Sequence, residues 1–154
     1  AGTTNVPLVV GAAEAFRLAM TELEERLAHV LPLRDRLLRQ LPAALPDLCI
    51  VTGHPHERLP HHASFALRGL TGNDLLMHLD MAGIAASSGS ACASGDPKPS
   101  SVLLACGYGP EWSKGGLRLT LGRQNTDADV DAILAVLPNI VYRLAALETA
   151  FAAA

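Results

Sequence analysis

Leu117-Arg118-Leu119-Thr120-Leu121-Gly122 is the stretch that decides the fold. Three leucines alternate with Arg118, Thr120 and Gly122, the period-two pattern of a half-buried strand. One face of that strand is apolar and must be covered. Arg118 stands on the opposite face. Downstream, Thr126 is placed to cap a long helix, and Asp127 and Asp129 fall in its first turn, where the helix dipole favours negative charge. Val130, Ile133, Leu137, Ile140 and Leu144 form its apolar stripe, and Pro138 is expected to bend it.

Working upstream, residues 7–41 read as helix, with Phe16, Met20, Leu23, Leu27 and Leu31 recurring at spacings of three and four. Glu22 and Arg26 lie one turn apart and can pair. Pro32 is expected to kink or split this helix, and Pro42 and Pro46 to end it. Short strands are predicted at residues 48–52, 62–68 and 84–86. Between the last two, Thr71 can cap a helix carrying Leu75, Leu76 and Leu79 that ends near Gly83. Pro99 suits the first turn of a helix at 100–105, closed by Gly107. Strands interleaved with helices, the longest at the two ends, predict an α/β or α+β unit. Its small sheet would carry helices on one face. No internal repeat or domain boundary is visible.

Of the 154 residues, 49% are apolar, 18% charged and 4% aromatic, which fits a packed unit and not a disordered tail. The net charge of -3, with scattered signs, gives no reason to expect nucleic acid or an anionic membrane as partner. Pro, Asp, Arg or His interrupts every apolar run, so no membrane span is expected. Ala1-Gly2-Thr3-Thr4-Asn5 has neither a signal-peptide pattern nor an initiating Met, and reads as the start of a processed or truncated piece. Three cysteines, Cys49, Cys92 and Cys106, argue against a disulfide framework and for a reducing, cytoplasmic location. Cys49, beside Ile50 and Val51, is expected in the core, and Cys106 in packing. His54, His56, His61 and His62 with Glu57 invite a metal hypothesis, but the intervening prolines scatter them and no metal site is expected.

Ser87-Ser88-Gly89-Ser90-Ala91-Cys92-Ala93-Ser94-Gly95-Asp96-Pro97-Lys98-Pro99 is the most unusual stretch. Small residues surround one thiol, and glycines permit backbone movement. From the residues alone, Cys92 is either an accessible nucleophile or an incidental cysteine on a surface loop.

Ser87-Ser88-Gly89-Ser90-Ala91-Cys92, followed by Pro99-Ser100, Val102-Leu103 and Gly107, resembles the active-site segment of cysteine desulfurases. The longer loop is similar to that of the class serving iron–sulfur and nitrogen-fixation assembly. Other segments match in the same order. They are Ala1 through Pro7 with Gly11 and Ala15, then Ser64-Phe65 with Gly69 and Leu75-Leu76, then Leu117 through Arg123. The resemblance covers essentially the whole chain.

It implies that residues 1–154 form the small C-terminal domain, with its connecting long helix, of a fold-type I pyridoxal-phosphate-dependent transferase. The large cofactor-binding domain is expected to be absent. Cys92 matches the thiol that attacks the sulfur of cysteine, so that the Cys92 sulfur bonds to it, the substrate's carbon–sulfur bond breaks and alanine leaves. Arg118 matches the residue that grips the substrate carboxylate. Without the resemblance it would be a solvated arginine. Thr3 matches a contact to the cofactor phosphate of the neighbouring subunit in a homodimer, and would otherwise be a helix-entry residue. The implied partners are L-cysteine and a sulfur-acceptor or iron–sulfur scaffold protein. The family's cofactor lysine has no counterpart, because Lys98 and Lys114 are the only lysines and neither sits in a matching motif. The chain alone is therefore expected neither to bind pyridoxal 5'-phosphate covalently nor to turn over cysteine. A stand-alone persulfide carrier and a selenocysteine lyase are the alternatives.

Overall fold

The computed structural model describes residues 2–88 and 98–152. The chain runs through α1 (Val6–Thr21), α2 (Leu23–Ala44), β1 (Cys49–Val51), β2 (His62–Leu67) and α3 (Gly72–Met81). It continues through β3 (Ser87–Ser88), α4 (Ser101–Ala105), α5 (Pro110–Ser113), β4 (Gly116–Thr120) and α6 (Asp127–Ala152). The four strands form one antiparallel sheet in the order β1-β2-β4-β3.

The leucine alternation sets the sheet's two faces. Leu117 and Leu119 of β4 are buried, as are Ala63, Phe65 and Leu67 of β2, whereas Arg118 and Thr120 are exposed. Against the apolar face, α2 lies on β1 and β2, α3 on β3 and β4, and α6 packs on both helices. The five stripe residues predicted for α6 are all buried, with Val141 beside them. By length and composition, residues 127–150 are long and apolar enough to cross a membrane, in contrast to the expectation that interrupting Pro, Asp, Arg or His residues leave no such stretch. Here the apolar stripe covers the protein's own core.

The long N-terminal helix divides at Glu22, ten residues before the expected break at Pro32, which lies inside α2. The backbone of Glu22, at φ -97° and ψ 7°, leaves the helical range there. Beside it the Thr21 hydroxyl donates back to the Arg17 carbonyl at 3.0 Å. Glu22 and Arg26 pair across the junction at 2.6 Å. The buried stripe is also displaced from the predicted one: α2 buries Val30, Leu33, Leu37 and Leu41, while α1 buries nothing and leaves Phe16 and Met20 exposed.

Two smaller features bear on the site, the first a departure from expectation. The third strand is Ser87–Ser88, not 84–86, because pairing with Arg118 and Leu117 requires it to lie beside β4. Gly115 permits the close approach of α5 and β2: a Cβ there would lie 1.9 Å from the Leu67 carbonyl oxygen, whereas Leu67 N–H donates to the Gly115 carbonyl at 2.9 Å.

Candidate substrate-carboxylate site

The sheet's second face carries the site. Strand register places Ser64 directly opposite Arg118 on one side and Ser87 opposite it on the other. Thr52, just past β1, continues the row: its N–H donates to the Ser64 carbonyl at 3.0 Å and its hydroxyl to the Ser64 hydroxyl at 2.8 Å. A single guanidinium thus rises from a row of small hydroxyl residues that crosses β3, β4 and β2 and reaches the residue just past β1. Large side chains on neighbouring strands would have covered it.

Helix α4 borders this row. Ser100 caps it by accepting from Leu103 N–H, and Leu103 is its buried residue. Ser100, Val102 and Leu103 line a cleft with His62, Ser64 and Arg118, of volume about 170 Å³. The short helix therefore flanks the sheet face that the simple one-sided layer had left bare. Among the described residues, no carboxylate pairs with Arg118. Unpaired with any carboxylate among the described residues and reachable from solvent, its fork suits a ligand carboxylate.

The surroundings are electropositive. Burial holds the His62 imidazole below its ordinary range, and Arg118, Arg58 and His61 reinforce the shift by repelling a further proton. Arg58 is itself pinned beside the cleft, donating from Nε to the His54 carbonyl and from Nη2 to the Thr52 carbonyl, both at 3.0 Å. Burial, then the charge of Arg34, lowers its pKa. The positive charges that act on His62, Arg118 in the cleft and Arg58 near it, favour an anion there.

Of the sequence-predicted residues, Cys92 lies outside the described residues. The chain does enter that segment from β3, paired with Arg118, and returns at Ser100, which lines the Arg118 cleft. Thr3 is exposed near the chain start, and Asn5, not Thr3, caps α1 by accepting from Leu8 N–H. Lys114 is exposed at the end of α5. Among the described residues, the exposed Thr3 hydroxyl is compatible with one contact to a pyridoxal phosphate and no fuller set of groups for it is assembled.

Cys49 is buried as expected, and burial pushes its thiol up to about 12, leaving it inert at neutral pH. Cys106 is exposed, contrary to the packing expected of it, because α4 turns Leu103 inward and Cys106 outward. Among the described residues no cluster of His, Cys, Asp or Glu is placed to hold a metal. His54 Nδ1 accepts from the N–H groups of His56 and Glu57 and so organises its own loop. Ser64 and Thr52 were missed as site residues, since the pairing that sets them beside Arg118 is invisible within either strand alone.

Residues 1–133 match the family described as aminotransferase class-V. A cysteine desulfurase IscS of Methanosarcina thermophila is 46% identical over 94% of the chain, and an IscS-like cysteine desulfurase of Mycobacterium tuberculosis is 44% identical over 99%. A solved NifS-like protein superimposes with a TM-score of 0.79 at 29% identity, covering 94% of the chain and 36% of its own. The chain spans 35% and 38% of the two curated relatives.

Proposed function

Because the chain belongs to the aminotransferase class-V family, we propose that it is part of a cysteine desulfurase in which Arg118 holds the substrate carboxylate and Cys92 takes the sulfur. One observation supports this: a guanidinium with no carboxylate partner among the described residues stands opposite Ser87 of β3 and shares a cleft with Ser100, on either side of the Cys92 segment in sequence. Binding the carboxylate at Arg118 fixes one end of L-cysteine, so its sulfur is presented at a constant distance from the grip. The Cys92 thiolate attacks that sulfur, the carbon–sulfur bond breaks with its electron pair going to the carbon side, and Cys92 is left as a persulfide while the carbon takes up a proton and leaves as alanine. Pyridoxal phosphate, bound mainly by groups outside this chain, supplies the electron sink for that cleavage.

Thr3 would touch the phosphate across a homodimer interface. The exposed apolar residues of α1, among them Val9, Val10 and Phe16, suit a helix lying against another domain or subunit. The persulfide would pass to an iron–sulfur scaffold or other acceptor in the reducing cytoplasm. The test is intact mass after incubation with L-cysteine and pyridoxal phosphate, on this chain and on a polypeptide carrying it behind a cofactor-binding domain. The longer protein should gain one sulfur atom, lost in Cys92→Ala, and the chain alone none. A longer protein that releases alanine yet is never modified at Cys92 would contradict the assignment. Sulfur gained by the chain only from a separate desulfurase would make it a carrier.

A further inference from the structure

Thr52 is 4% exposed, and its one side-chain hydrogen bond among the described residues runs to the Ser64 hydroxyl. Burial fixes the direction of that bond. A buried donor without an acceptor is costly, so Thr52 gives its proton to Ser64 and does not receive one. Ser64 accepts and keeps its own proton free to donate. It is half-buried, lines the cleft, and faces Arg118 across the β2–β4 ladder. Opposed side chains on one face of an antiparallel pair start about 5 Å apart at Cβ, close enough to share one ligand.

We propose that the Ser64 hydroxyl donates to the same ligand carboxylate that Arg118 grips, with Thr52 holding it in the donating orientation. A carboxylate offers about four acceptor positions. The arginine fork occupies two, which leaves room for a third donor from the adjacent strand. Ser64 would then tighten binding and favour a carboxylate over a neutral amide at this position. The proposal rests on Arg118 being the carboxylate grip.

The test is a titration of the isotope-labelled chain with L-alanine, read by NMR at the Arg118 side chain and the Ser64 and Ser87 amides. Saturable shifts are expected. Ser64→Ala should weaken binding roughly tenfold, the loss of one hydrogen bond to a charged group. Ser64→Thr, which keeps the hydroxyl, should restore it to within about threefold, and Thr52→Val, which frees Ser64 to rotate, should fall between. Unchanged affinity in Ser64→Ala, with binding abolished in Arg118→Ala, would overturn the Ser64 role and leave the Arg118 grip standing. Loss in Ser64→Ala without rescue by Ser64→Thr would make Ser64 a packing residue and also overturn it. Indifference to Arg118→Ala, or no saturable shift in the unmodified chain, would remove the grip itself.

Discussion

The two faces of the sheet are made from the same strands, residue by residue in alternation, and they do opposite work. On one face Ala63, Phe65, Leu67, Leu117 and Leu119 are sealed beneath α2, α3 and α6. On the other, Thr52, Ser64, Arg118 and Ser87 form a polar row with a cleft above it. A shift of one residue in register would exchange the faces, so burying the leucines also aims the arginine. Stability on the inner face thereby positions binding on the outer one.

The comparison breaks most visibly on the inner face. Phe65→Ala should cost about 3–5 kcal/mol, since Phe65 is 1% exposed and central to the core, and chemical denaturation would measure it. A loss below about 1 kcal/mol would mean the face is not packed as described. Gly115→Ala should cost about 1–3 kcal/mol, because the new Cβ meets the Leu67 carbonyl and β2 must move.

How far these faces were legible differs by element. The α6 stripe and the alternation in β4 were plain, because each period is local to one element. The division of the first helix was not: proline is the louder signal, whereas the division falls at Glu22, whose non-helical backbone only the fold shows. The stripe over residues 16–31 failed likewise, since many apolar residues fit helical spacing and only packing selects Val30, Leu33, Leu37 and Leu41. Ile84–86 looked more strand-like than two serines, yet pairing with β4 chose the serines. Arg118 was legible as an outward-facing residue. Its partners Ser64 and Thr52 were not, because cross-strand register is a long-range property.

A smaller effect sharpens the outer face. His62 titrates below its unfolded value, so the folded state takes up a proton less readily than the unfolded chain does. The resulting contribution to stability is fully present above about pH 6.5 and is lost as pH falls through the lowered folded value. Thermal unfolding midpoints should therefore decline as acidity increases across that window, and His62→Gln should flatten the decline. An unchanged slope in the variant would place the titration elsewhere.

The most direct test of the central claim is Arg118→Lys, measured for both L-alanine affinity and thermal stability. Lysine keeps the charge and loses the fork. Affinity should fall at least fivefold while the unfolding midpoint stays within about 2 °C of the parent, because the outer face carries binding and little stability. Undiminished affinity, or a loss of stability as large as an inner-face substitution causes, would contradict that division of labour between the faces.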